Sequence, residues 1–318
     1  MTAMTAMKIF LPGGAGLVGL NLIAQLHSCH PDWSLVVVDK KREAIAVGKR
    51  LFPHVLFICE DLTQVEGQQW PQEILDCQAC VMLQAEIGNT DPHQFERNNV
   101  RSTEVILGQL RQAGVRRLIH VSSSVVNSVA NDLYTQTKRR QEEIVIQSCP
   151  EAVVLRPTLM FGWFDRKHLG WLARFMRQLP VFPVPGAGRF IRQPLFVTDF
   201  CRLIQRCLED EKIVGVYDIT GLEKVSYISL IRQLRRATQA QTWIIHIPIP
   251  IFGLLLQLWA LVAKQPAFTR SQLAALTAGD EFEVIDWPAI FSVQPTPLAD
   301  ALSITHRDPR FSAVEVPF

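Results

Sequence analysis

The sequence lacks several features that would each have set a direction. It has no block of Lys or Arg, no zinc-type cysteine spacing, no internal repeat and no low-complexity stretch. With 32 basic residues against 30 acidic ones, it also lacks the charge excess of a nucleic-acid-binding chain. Met1 to Lys8 shows no basic segment leading into an apolar core, and the first apolar run is broken by Pro12-Gly13-Gly14. That is not a secretory signal, and a cytoplasmic location is expected. The seven cysteines are odd in number and scattered, which suits a reducing compartment. Cys77-Gln-Ala-Cys80 has redox spacing but leads into an apolar run, so buried thiols are expected there. The most apolar run, Ile249 to Ala263, carries Pro250 and Gln257. It is shorter than the roughly 20 residues that span a bilayer. It reads as a buried or lid helix, or alternatively as an interfacial helix that touches lipid.

What is present is alternation. Strand-like runs at Lys8–Leu11, Leu35–Val38, Val55–Ile58, Ala79–Leu83, Arg117–Val121 and Ala152–Arg156 are separated by helical patterns. These cover Leu17–Leu26, Arg42–Leu51, Pro92–Gln112 as one long helix, and Tyr134 to about Gln147. Continuous apolar strands alternating with helices predict a doubly wound parallel sheet of the Rossmann type. Beyond Pro157 the pattern loosens, and Leu179 to Gly188, rich in Pro and Gly, must be loop or edge structure. Gly215–Ile219 reads as a further strand and Ser226–Ala237 as a helix. The expected organisation is a dinucleotide-binding domain over 1–160 with a returning segment near 194–220, and a smaller C-terminal substrate-binding cap over 161–318.

Gly13-Gly-Ala-Gly16-Leu17-Val18-Gly19 follows a strand and opens a helix. Bare backbone there lets a pyrophosphate approach the helix N-terminus, whose amides and dipole favour an anion. Asp39 ends the next strand twenty residues after Gly19, where a carboxylate can accept from ribose hydroxyls. It also repels a 2′-phosphate, so NAD is the expected cofactor. Lys40, Lys41 and Arg42 keep NADP as the alternative.

Tyr134 and Lys138 stand four apart at a helix start and so share a face. A phenol titrates near ~10 and is a poor base at neutral pH, and a cation beside it lowers that value. Lys138 is placed to do this and to hydrogen-bond the nicotinamide ribose. The run Ser122-Ser123-Ser124 ends a strand and offers hydroxyls to a substrate oxygen. His120, inside that strand, reads as a core histidine. Trp163, Phe164 and Trp171 are candidates for a substrate pocket, and Arg189 and Arg192 for an anion.

With these motifs in order, the chain resembles the extended or atypical short-chain dehydrogenase/reductase superfamily, including its NAD-dependent epimerase/dehydratase group, over roughly Lys8 to Gly221. The resemblance implies that Tyr134 transfers the proton, Ser123 positions the oxygen with Ser124 as second choice, and Lys138 tunes Tyr134. It implies cofactor contacts from Asp61 and Leu62, from Gln84-Ala85 at a strand end, from Asn99 in Asn-Val-Arg-Ser-Thr, and from Pro157 in Arg-Pro. It puts Arg192 on a substrate diphosphate. Pro12 replaces the family's usual Thr and Ser102 its Gly. Ser-Ser-Val stands where dehydratases have Thr-Asp-Glu, which disfavours sugar dehydration. No metal is implied. The expected activity is NAD(P)-dependent epimerisation or keto-reduction of a nucleotide-linked sugar, and a homodimer is compatible with it. The alternatives are a reductase of a lipid-like alcohol or ketone and a non-catalytic nucleotide-binding subunit or sensor. The pattern near Leu273 to Leu302 resembles the complex I accessory branch that suggests the last.

Overall fold

The computed structural model describes residues 6–89, 91–128, 132–262, 273, 276–277, 281–314 and 316. The first half runs β1 (Lys8–Pro12), α1 (Leu17–Cys29), β2 (Ser34–Asp39), α2 (Arg42–Leu51), β3 (Leu56–Cys59), α3 (Trp70–Glu73) and β4 (Ala79–Met82). Next come α4 (Pro92–Phe95), a π turn (Glu96–Arg101), α5 (Ser102–Gln112), β5 (Arg117–Val121), α6 (Leu133–Ser148) and β6 (Val153–Pro157). The remainder holds β7 (Met160–Phe161), α7 (Leu169–Gln178), β8 (Val181–Pro185), β9 (Ile191–Arg192), β10 (Leu195–Phe196), α8 (Val197–Glu209) and β11 (Gly215–Ile219). It continues with β12 (Val225–Ser226), α9 (Tyr227–Thr238), β13 (Trp243–Ile247), α10 (Ile249–Val262), α11 (Trp287–Phe291) and α12 (Leu298–Arg307).

Seven strands form one sheet in the order β11-β6-β5-β4-β1-β2-β3, every pair parallel. The two-residue period of a strand sends alternate side chains to opposite faces, and the sequence uses both. Ile9, Leu11, Val37, Val81 and Ile119 pack into one core cluster, while Phe10, Val36, Val38, Cys80 and Met82 pack into the other. Strand order reverses on either side of β1, which opens a crevice at the carboxyl edge between β1 and β4.

The long helix expected over Pro92–Gln112 is not regular: Glu96–Arg101 is a π turn between two α segments. A π turn fits one extra residue into the helix and commonly marks a functional site. Here it turns Asn98 and Asn99 inward, and both are buried. Cys77 and Cys80 are buried free thiols, and burial pushes Cys77 up to about 12 and Cys80 well above its ordinary value. A thiolate is the reactive form, and burial disfavours it at both positions.

The second lobe is built from the excursions after β6 and after β11. β8 pairs with β13, β9 with β12 and β10 with β7 in two-stranded sheets, and α7, α9 and α12 share a third core cluster. Leu179–Gly188 accordingly contains an edge strand. α8 packs its buried Phe200, Leu203, Ile204 and Cys207 into the same core cluster as Leu20 and Ile23 of α1, and β11 completes the large sheet beside β6.

Candidate active site

A cleft of about 540 Å³ lies along the carboxyl edge of the sheet, within the usual range for small-molecule sites. Its floor is the glycine turn. Gly13 has φ +74°, and a Cβ there would sit 2.5 Å from Gln84 Cα; one at Gly19 would sit 2.1 Å from the Gly14 oxygen. Those two glycines are required by packing. Gly16 is different: a Cβ there would meet nothing nearer than the Gly13 oxygen at 3.8 Å, and its φ of −90° is open to any residue. The space beyond Gly16 is therefore the cradle that a glycine keeps clear for a ligand. Gly16, Leu17, Val18 and Gly19 line the cleft at the start of α1, where first-turn amides have no carbonyl one turn back.

At the next strand end, Asp39 and Lys40 line the same cleft. The Asp39 carboxylate accepts from the Lys41 amide at 3.0 Å, and burial raises its pKa. Lys40 pairs with Glu86 at 3.6 Å. Asp61 and Leu62 follow along the wall. Burial would raise Asp61, but hydrogen bonds from Thr63 and the Arg97 guanidinium at 2.7 Å outweigh it and hold the carboxyl low. Gln84 and Ala85 line the wall beyond β4, and Pro157 the far side at the end of β6.

Ser123, Ser124 and Tyr134 meet at the end of β5. The Ser123 hydroxyl lines the cleft beside the Tyr134 phenol and favours its ionised form. Burial, with the nearby Asp132, outweighs that influence and raises the phenol pKa, so the proton stays on oxygen at neutral pH. Asp132 also caps α6, accepting from the Thr135 amide at 2.9 Å, which fixes where the tyrosine begins its helix.

Of the residues given a role by the family resemblance, three do not line the cleft. Lys138 is fully buried beneath it, donating to the Val121 carbonyl at 3.1 Å and to Gln141 Oε1 at 2.6 Å. Burial brings its pKa down to about 7, and it is not among the groups that shift Tyr134. For both groups desolvation is the largest influence. Asn99 holds the wall together instead, accepting from the Glu86 amide at 2.7 Å and donating to Thr137 Oγ1 at 3.0 Å. Arg192 is not among the lining residues and donates to the Leu276 carbonyl.

Other groups line the cleft without having been singled out. Arg166, Lys167 and His168 approach it from the loop before α7, Phe282 and Val316 from far along the chain, and Asn98 from the π turn. None lies in a motif of fixed spacing, and only the fold brings them together. Phe164 lines the cleft as expected, whereas Trp163 is structural, its indole donating to the Ile304 carbonyl at 3.2 Å. Trp171 stacks on Phe175. His120 is fully buried; its two ring nitrogens lack partners among the described residues, and burial holds it neutral.

The model of the "NAD dependent epimerase/dehydratase family" matches residues 9–219. The chain belongs to this family. The family's cofactor is NAD, and the cleared cradle at Gly16, the amides of α1 and the Asp39 carboxylate are residues that fit it. Among family relatives, the chain is 27% identical over 207 residues to "NADH dehydrogenase [ubiquinone] 1 alpha subcomplex subunit 9, mitochondrial" of Mus musculus, covering 64% of this chain and 54% of that one. It spans about half the length of this relative and of its rat and Arabidopsis counterparts. It is 24% identical over 305 residues to the "4-hydroxy-2-methyl-3-oxo-4-farnesyl-3,4-dihydroquinoline-1-oxide ketoreductase" of Stigmatella aurantiaca, covering 88% and 89% of the two chains. In fold it is similar to the UDP-glucuronic acid 4-epimerase of Bacillus cereus, solved with UDP-glucuronic acid and NAD: TM-score 0.70, 20% identity, 94% and 98% covered.

Proposed function

We propose that the protein is a NAD-dependent ketoreductase that converts a ketone with a largely apolar body to the secondary alcohol. A bound reduced dinucleotide would supply the hydride to the carbonyl carbon. The chain's own work is at the oxygen. Ser123 donates a hydrogen bond to it, and Tyr134 releases its phenolic proton there as negative charge develops. One observation carries the reading: Ser123 and Tyr134 line the cleft together, and the phenol, like any tyrosine at neutral pH, carries its proton. A protonated phenol is the form that reduction consumes and oxidation lacks. For the substrate's apolar body, support comes from Leu159, Met160, Phe164 and Phe282 along the cleft, and from likeness over most of both chains to a ketoreductase of a farnesylated substrate.

Epimerisation of a nucleotide-linked sugar, the first expectation, is the second reading. It has support from the UDP-glucuronic acid bound in the similar fold. The presence of Ser123 and Tyr134 together in the cleft counts against a purely nucleotide-binding role. The test is a panel of apolar ketones and UDP-sugars with NADH. Ketone-dependent NADH oxidation is expected, and Tyr134→Phe should lower it by about 10²–10⁴ with NAD binding unchanged. Interconversion of UDP-sugars without net NADH consumption would establish the second reading instead. Binding of NADH with no turnover of either class would leave neither standing.

A further inference from the structure

The second lobe carries a surface that the cleft does not explain. No helix among the described residues is long and apolar enough to cross a membrane. Nonetheless α10, which contains no charged residue, turns an apolar stripe outward: Ile251, Leu254, Leu255, Leu258 and Trp259 are all exposed. Their spacing of three and four puts them on one side of the helix, while Gly253 on the opposite side is buried. Adjoining elements extend the patch. β13 exposes Trp243 by 75% and also Ile245; its partner β8 exposes Val181, and Leu179 precedes it. Isolated exposed apolar side chains are ordinary, but a one-sided stripe along a helix marks a docking face.

Charge identifies the partner. The stretches 166–198 and 224–279 hold twelve Lys and Arg and no Asp or Glu. The rest of the chain then holds twenty basic against thirty acidic residues, so basic residues are concentrated in these stretches. Arg177, Arg189, Arg232 and Arg236 are exposed on this lobe. Arg189 follows closely on Gly186, against which Ile249 of α10 packs, and Arg235 reaches the Thr242 carbonyl beside Trp243. A second copy of the same face would bring cations against cations.

We infer that this lobe docks on an anionic phospholipid bilayer, with α10 lying in the plane of the interface. Leu and Ile of the stripe enter the acyl boundary, Trp243 and Trp259 sit at headgroup depth, and the arginines face the phosphates. The inference is independent of what the cleft turns over.

The test is co-sedimentation of the full chain with vesicles of phosphatidylcholine alone and of phosphatidylcholine mixed with phosphatidylglycerol. Binding to the mixed vesicles is expected to be at least about tenfold tighter and to weaken with salt. The combined variant Leu254→Gln, Leu255→Gln, Leu258→Gln should abolish it. Arg232→Gln with Arg236→Gln, at exposed positions, should lower affinity several-fold and flatten the salt dependence. NAD binding by each variant checks its fold. No sedimentation of the wild type with mixed vesicles, or undiminished binding by both variants, would overturn the inference. So would a wild-type dimer that the leucine variant converts to a monomer, since the face would then belong to a second copy.

Discussion

Lys138 and Tyr134 stand a single helical turn apart, yet their environments set them different tasks. For Lys138 the folded pKa is about 7 against an ordinary 10.5. Between those values the unfolded chain binds a proton that the folded one has released, so stability rises with pH through that window and the penalty on a buried ammonium lies below it. The slope contributed is at most about 1.4 kcal/mol per pH unit. Denaturant titrations at pH 7 and 9 should show the wild type gaining stability that Lys138→Met does not gain; equal gains would remove the claim. Tyr134, raised by burial, predicts reduction rates that stay level from neutral pH to beyond the usual phenol range. Oxidation of the alcohol should become efficient only there, and a fall in reduction near pH 7 would contradict it. The glycines divide in the same manner. Gly16→Ala puts a methyl group into the open cradle, so NAD affinity should fall by tenfold or more in calorimetry with thermal stability kept. Gly19→Ala, facing the Gly14 oxygen at 2.1 Å, should lose stability first, by about 1–3 kcal/mol.

At the scale of elements, the regular parts of the fold were legible because their physics is local. Alternation placed β1 to β6 within a residue or so of where they lie, and the glycine turn followed by a helix located the cradle. The π turn was not legible, because Glu96–Arg101 differs from an α-helix by one hydrogen-bond step that no side-chain pattern encodes. Its consequence is testable. Asn99 links the π turn to the Glu86 amide and to Thr137 of α6. Asn99→Leu should leave a buried amide unpaired, cost about 1–3 kcal/mol and raise the KM for the dinucleotide; an unchanged unfolding midpoint would refute this. The burial of Lys138 was equally invisible. Spacing in sequence gives a shared helix face but not the depth at which that face is packed. The partner of Arg192 was not legible for a related reason, since glycine-rich surroundings suggest an open loop and the guanidinium donates to the Leu276 carbonyl.

For the whole molecule, the cofactor half and the cap are distinct in composition but not in mechanics. β11 is added to the sheet only after the first excursion into the cap, and α8 covers the face that Leu20 and Ile23 of α1 would otherwise expose. Asp199 near the start of α8 also accepts from the Thr296 amide at 2.8 Å, and Arg206 near its end reaches the Phe291 carbonyl. One helix is thus held from both lobes. The ribosome must deliver α8 and β11 before the sheet has both its outer edge and its cover, so early synthesis leaves a sticky, half-dressed intermediate. A fragment of residues 1–160 should precipitate where the full chain stays in solution. The intact chain should melt in one step, with NAD protecting α8 and α1 together in hydrogen exchange.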